Sequence, residues 1–317
     1  MARKFSRVPE LSLKAFTHGG PKERTDFIDS LMEGFQYFGF IILKDHAVNR
    51  DLLKRAYQLS AEFFALSEPE KRRLVAGADG QRGYTPFGKE HAKDAKIADL
   101  KEFWHVGREF APSSPLAKIY PPNVWPAAPA GFRDTFLNLY TALEDAGFSM
   151  LEALAPSLGV SADYFRKMAT DGNSILRLLH YPPTPPNPDG IRAEAHEDIN
   201  VITLLLGAEE AGLQLLTREG SWIDVNPPEG ALVVNIGDML QRLTNHKLRS
   251  TTHRVVNPAP ARAHLPRYSI PFFLHFAPDY PIETLPSCID AANPNRYPEP
   301  ISAQDYLLER LREIRLA

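Results

Sequence analysis

The sequence predicts a mainly β fold, a double-stranded β-helix (jelly-roll) core with flanking helices, forming one domain over residues 1–317. Three observations carry this. The second half of the chain holds seven short apolar runs parted by Gly, Pro, Asn and Asp, the pattern of a barrel or double sheet. The first half carries apolar residues at helical spacing instead. An open jelly roll leaves faces that such helices cover, so the two patterns fit one domain.

Taken in order, residues 22–37 place Phe27, Leu31 and Phe35 on one helical face, and Phe38 extends that stripe until Gly39 ends it. A β-rich run, FIILK, fills 40–44, and a second amphipathic helix fits 50–65. Ser67 with Glu70 three residues later forms a capping-box pattern before another short helix. Residues 78–128 are broken by Gly80, Gly83, Gly88 and several prolines, which predicts a long loop region with isolated strands. A loop of that length is uncommon unless it covers something. Residues 1–128 thus read as an N-terminal helical and loop region. A long helix follows at 130–157, with Phe132, Phe136, Leu139, Leu143 and Phe148 on its apolar side, and a short one near 161–169. The strand runs are 175–181, 200–206, 213–217, 221–225, 231–236, 251–256 and 267–276, giving a catalytic core at 174–277. A charged helix at 302–315 closes the chain.

Composition narrows the partners. A net charge of −3 and a pI near 6.4, without any basic run, speak against nucleic acid. No segment approaches the roughly 20 apolar residues that span a bilayer, which speaks against a membrane. Cys288 is the single cysteine, so an intrachain disulfide and a cysteine-built zinc site are excluded and a reducing cytoplasm fits. The basic start, MARKFSRVPE, lacks the apolar stretch of a secretory signal. The expectation is a cytoplasmic protein acting on a small-molecule substrate, a monomer by default.

The sharpest local feature is AHEDIN at 195–200. In an extended segment alternate side chains share a face, so His196 and Asp198 point one way and Glu197 the other. An imidazole and a carboxylate on one face are two corners of a metal site. His253, in the β-rich TTHRVV, lies 55 residues after Asp198 and offers the third; His246, in the turn-like TNHK, is its rival. Two histidines and a carboxylate make a facial triad that leaves three adjacent positions open, as an oxygen-activating iron requires. An H-x-D tripeptide alone arises often by chance among ten histidines. His46, His91 and His180 read as surface or satisfied core residues.

The next strand adds weight. Arg267 and Ser269 are two apart in RYSIPFF, so both face one interior. A guanidinium among apolar strand residues needs an anion, because an unpaired buried charge is costly, and its forked donors suit a carboxylate. A salt bridge to an Asp or Glu of the barrel is the bland alternative. Phe273 shares their parity and either lines the pocket or packs the core. Arg82 and Tyr84, in the Gly-broken region, are candidates for substrate contact from a lid. Asn235 and Asp238 read as turn groups or as supports behind the metal ligands.

With these residues in place, the chain resembles the isopenicillin N synthase-like family of Fe(II)- and 2-oxoglutarate-dependent oxygenases. AHEDINVITLLL, GLQLL, VVNIGDMLQRLTN, THRVVNP and RYSIPFF match its catalytic half in order, and GFIILKDHAV and FFALSEPEK match its N-terminal portion. The resemblance implies a dioxygenase using Fe(II), 2-oxoglutarate and O2 to oxidise, typically to hydroxylate, a small organic substrate. It implies metal ligation by His196, Asp198 and His253, and a grip on the distal carboxylate of 2-oxoglutarate by Arg267 and Ser269, with Tyr181 in contact. Leu179 stands where many plant members have Asn. Isopenicillin N synthase itself uses O2 without 2-oxoglutarate, its Arg-x-Ser pair binding the peptide substrate, so the motif alone leaves that alternative open. A zinc hydrolase and a non-catalytic barrel are the remaining alternatives.

Overall fold

A computed structural model of the chain describes residues 7–76, 81–91, 97–185, 188–206 and 211–313. The N-terminal part runs β1 (Glu10–Ser12), α1 (Leu13–Thr17), α2 (Pro21–Phe38), β2 (Phe40–Lys44), α3 (Arg50–Phe64), α4 (Glu68–Arg72), β3 (Val75–Ala76), β4 (Arg82–Thr85) and β5 (Glu102–Gly107). Helices α5 (Phe132–Leu154) and α6 (Tyr164–Ala169) precede the core strands β6 (Ile175–Tyr181), β7 (Ala193–His196), β8 (Ile202–Leu206), β9 (Leu213–Leu216), β10 (Trp222–Asp224), β11 (Leu232–Ile236), β12 (His253–Val255) and β13 (Arg267–Leu274). Helix α7 (Asp238–Leu243) falls between β11 and β12, and α8 (Ala303–Glu313) comes last. Residues 314 and 315 of the expected last helix lie outside the described residues, as do 78–80 and 92–96 of the loop region.

Strands β6 to β13 divide into two facing sheets, the jelly roll. One has the order β10-β9-β12-β7; the other, β11-β8-β13-β6, is widened by β2 and β1 on one side and by β5, β4 and β3 on the other. The N-terminal region therefore belongs to the same large sheet as the core. On that sheet alternation decides everything. Ile202, Leu204, Leu206, Leu232, Val234, Ile236, Ile270, Phe272 and Leu274 pack outward with Phe63, Phe132, Phe136 and Leu143 of the covering helices. Val233, Leu179, Tyr181, Phe103 and Phe40 face the other way, into the space between the sheets, with Leu213, Leu215 and Val255.

The long helices form where periodicity places them. Gly39 stops α2 in a left-handed conformation, φ 69°, where an added Cβ would strike Thr251. Glu70 accepts the Ser67 N–H at 3.0 Å, completing the capping box of α4. Two features differ from the sequence reading. VNIGD does not merely turn but opens α7, whose first N–H groups find the Asp198 and Asn200 carbonyls (2.9 and 3.0 Å). And β5, EFWHVG, is buried along its whole length, so it lacks the apolar–polar alternation that would mark a strand. Its Glu102 is instead satisfied by Lys71 and His180, each at 2.7 Å and both remote in sequence. Among the described residues no helix is long and apolar enough to cross a membrane.

Candidate metal centre and co-substrate pocket

His196 ends β7 and His253 opens β12, and the antiparallel register sets the two directly opposite, with ring centres 4.4 Å apart. Asp198 follows as the chain leaves β7. Its Oδ1 stands 3.8 Å from His196 Nε2 and 3.7 Å from His253 Nε2. One donor atom from each of the three lies within 4.8 Å of the others, the only such cluster of His, Cys, Asp or Glu among the described residues.

The hydrogen bonds behind the cluster decide which atoms face its centre. His196 Nδ1 bonds the Glu194 carbonyl (2.6 Å) and His253 Nδ1 the Thr251 carbonyl (3.1 Å). A carbonyl only accepts, so both protons sit on Nδ1 and both Nε2 atoms offer lone pairs. Asp198 Oδ2 accepts from the Thr203 hydroxyl (2.5 Å) and the Asn235 amide (2.8 Å), which turns Oδ1 toward the histidines. Asn200 in turn donates to Thr203 Oγ1 at 2.7 Å. Desolvation by the surrounding groups, reinforced by the neighbouring His253, pushes the His196 pKa down to about 4, so its ring is neutral at pH 7. Burial also pushes the Asp198 carboxyl up. The imidazoles of His253 and His196 and the bonds from Asn235 and Thr203 outweigh that and hold it below the usual carboxylate range. Two imidazole nitrogens and one carboxylate oxygen fit a six-coordinate divalent iron with open positions, not a closed four-ligand zinc site.

The Thr203 bond gives a direct test. Thr203→Val keeps the shape and removes the hydroxyl, and is expected to weaken divalent-metal binding about tenfold. Asn200 loses an acceptor in the same variant, lowering stability by roughly 1–3 kcal/mol. Metal titration and thermal melting of the metal-free protein separate the two effects.

Farther into the same space, Arg267 of β13 lies opposite Tyr181 of β6, and Ser269 opposite Leu179. All three polar residues are buried. Arg267 Nη1 donates to Ser269 Oγ at 3.2 Å, and its Cζ stands 5.0 Å from the centre of the Tyr181 ring. A second guanidinium, Arg192, approaches that ring to 5.9 Å. Phe273 pairs with Thr203 across β13 and β8, beside the support of Asp198.

Other candidates are placed elsewhere. Tyr84 shares the face of Trp104, packs in the helix-side core and donates to Glu102. The Arg82 guanidinium lies against Gly107 and donates to Asn173 Oδ1 at 3.2 Å. Neither joins the His–Asp–His cluster or the Arg267 group, because Gly83, not its neighbours, takes the interior parity of β4. His246 adopts a left-handed conformation (φ 63°) and bonds the Tyr297 hydroxyl at 2.5 Å, away from the cluster. Glu197 is exposed and accepts from Thr252 at 3.2 Å.

A charged group in this region escaped sequence reasoning. Arg177 stacks its guanidinium over Phe103 (4.1 Å) and Phe273 (5.3 Å) while bonding Glu90 (3.1 Å) and His105 Nε2 (2.6 Å). Lys101 pairs with Glu90 (2.6 Å) and Asp99 (2.7 Å). The signal was present: Arg177 in ILRLLHY is an isolated cation in an apolar strand, the argument that singled out Arg267.

A jelly-roll core carrying two histidines and a carboxylate on facing strand ends has the donor set of a non-haem iron oxygenase. Comparison with known proteins narrows this class. Residues 8–128 match the model of the non-haem dioxygenase N-terminal region named for morphine synthesis, and residues 172–276 match the 2OG-Fe(II) oxygenase superfamily. The 2-oxoglutarate-Fe(II) type oxidoreductase hxnY of Emericella nidulans is 33% identical, over 94% of this chain and 87% of its own. Among solved structures, a 2OG-Fe(II) oxygenase family protein from Caulobacter crescentus is 48% identical with TM-score 0.89, covering 98% of this chain and all of its own. A full-length Neurospora crassa protein, solved in complex with alpha-KG, is 33% identical with TM-score 0.86, covering 96% of this chain and 95% of its own. The chain belongs to the isopenicillin N synthase-like family of 2-oxoglutarate-Fe(II) oxygenases. It is a dioxygenase dependent on Fe(II), 2-oxoglutarate and O2, and the oxidase without 2-oxoglutarate left open by the motif is not favoured.

Proposed function

We propose that His196, Asp198 and His253 hold the iron, that Arg267 and Ser269 bind the distal carboxylate of 2-oxoglutarate beside Tyr181, and that Phe273 and Arg177 receive the substrate. The observation that carries the reading is the convergence of both Nε2 atoms on Asp198 Oδ1 (3.8 and 3.7 Å) with Arg267 facing the same interior. Iron held by these three residues would supply the activation of O2, with 2-oxoglutarate oxidised to succinate and CO2 as the substrate is oxidised. The side chains bind, orient and exclude water, so that the intended C–H bond is the one that reacts.

A substrate class follows from the pocket's chemistry. The Phe273 ring offers an apolar surface next to Thr203, and the Arg177 guanidinium, paired with Glu90, stands over that ring at 5.3 Å from its centre. A small planar molecule with carbonyl or anionic acceptors satisfies both. The Neurospora protein, also solved with thymine and with 5-formyluracil, supports this size and polarity. The lone cysteine, Cys288, is buried and free, which suits a reducing cytoplasm, and a monomer remains the reading for the assembly.

The test is anaerobic thermal stability with Fe(II), with and without 2-oxoglutarate. A ligand at a hundredfold excess over its Kd stabilises the folded state by roughly 2.7 kcal/mol. 2-Oxoglutarate is expected to raise the melting point only when metal is present, and a screen of small planar heterocycles for succinate release then identifies the substrate. No added stability from 2-oxoglutarate on the metal-loaded protein would remove the co-substrate assignment.

A further inference from the structure

We infer that Asp99, held by Lys101, is a positioning residue for the metal ligand His196, clasping the open edge of the strand that carries it. The inference rests on the metal-site reading above.

Among the described residues β7 is the edge of its sheet, paired only with β12. Edge strands have one row of backbone groups without ladder partners and are held less firmly than interior strands. Here the 99–101 segment supplies partners. Leu100 N–H bonds the Ile191 carbonyl (3.1 Å), and Asp99 Oδ1 accepts the Glu194 N–H (3.1 Å). Glu194 is also the residue whose carbonyl takes the proton of His196 Nδ1 (2.6 Å). Asp99 therefore fixes the Glu194 N–H while His196 hangs from the Glu194 carbonyl.

His196 depends on this clasp more than its fellow ligands would. Its side chain is 35% exposed, against 10% for His253 and 7% for Asp198, so core packing holds it least. Asp99 is itself immobilised. It is buried, its Oδ2 receives Lys101 Nζ at 2.7 Å, its N–H reaches the Glu90 carbonyl at 3.0 Å, and Lys101 is tied to Glu90 at 2.6 Å. Paired buried charges of this kind fix geometry more than they stabilise. The clasp converts a frayed edge into a rigid mount, with His196 Nε2 aimed at Asp198 Oδ1.

The experiment compares Co(II) binding, the Co(II) visible spectrum and amide exchange at Glu194 in parent, Asp99→Ala, Asp99→Asn and Asp198→Asn proteins. Asp99→Ala is expected to weaken Co(II) binding by about 10- to 100-fold, the usual cost of losing an outer support, to alter the Co(II) spectrum and to speed exchange at Glu194. Asp99→Asn keeps an oxygen acceptor for the Glu194 N–H but turns its amide nitrogen toward Lys101 Nζ, so it is expected to lose less Co(II) affinity than the alanine variant. If Asp99→Ala does not fold, Asp99→Glu carries the test: it keeps the charge, displaces the acceptor and should weaken Co(II) more than Asp99→Asn does. Parent-like Co(II) affinity in Asp99→Ala or Asp99→Glu, or equal losses in the alanine and asparagine variants, overturns the inference. Parent-like binding by Asp198→Asn overturns the metal-site reading and the inference with it.

Discussion

Replacing Arg267 with alanine is expected to raise the KM for 2-oxoglutarate by about 100-fold or more while leaving Fe(II) affinity unchanged. The effect is electrostatic. Arg267 is 3% exposed, and its Nη1 is oriented by Ser269 at 3.2 Å, so a carboxylate bound there is shielded from water on the protein side. Truncating one member of such a pair costs about 2–5 kcal/mol, chiefly because the remaining charge is left buried. Arg192, within 5.9 Å of the same Tyr181 ring, keeps some positive potential in the pocket and sets a floor to the loss. Arg267→Lys should recover part of the affinity, since it restores charge without the planar fork. Succinate release against 2-oxoglutarate concentration, with a separate metal titration, measures both quantities. An unchanged KM for 2-oxoglutarate with a raised KM for substrate would reassign Arg267 to a substrate carboxylate.

How far the sequence reached depends on the range of the interaction that fixes each feature. That His196 shares a face with Asp198, and Arg267 with Ser269 and Phe273, was legible because alternation along extended chain is a local rule. His253 was legible as a histidine in a β-rich run, and the register that sets it opposite His196 follows from strand pairing. Strand β5 was not legible. Its Glu102 and His105 look like surface residues in sequence, and only Lys71, His180 and Arg177, folded in from elsewhere, make them core residues. The same holds for Arg82 and Tyr84. A Gly-broken segment suggested a lid, but hydrogen bonding to β5 turned it into sheet and sent both side chains toward the helices. Asp99 is the extreme case: its partner is the Glu194 backbone, which carries no side-chain signal at all.

Asp198→Asn is expected to abolish turnover and to weaken divalent-metal binding by about 1,000-fold, while the metal-free protein still folds. The substitution is nearly isosteric, so the loss is chemical. Asp198 gives Oδ1 to the centre and uses Oδ2 to accept from both Thr203 and Asn235. An asparagine has one oxygen for these two roles. If its oxygen faces the metal, its amide nitrogen confronts the Asn235 amide, two donors with no acceptor between them. If it turns the other way, it presents N–H groups to a cation. Either orientation also removes the negative charge beside a divalent ion, and breaking a buried charge pair on one side costs roughly 3–5 kcal/mol. Without metal the balance differs, because the amide can turn its oxygen toward Thr203 and Asn235 and its N–H groups toward the imidazole Nε2 lone pairs. The two melting curves should therefore lie close together for the metal-free proteins and separate once Co(II) or Fe(II) is added, with only the parent shifting upward. Metal binding within tenfold of the parent, with succinate still released, would mean that Asp198 is not the carboxylate of the iron site.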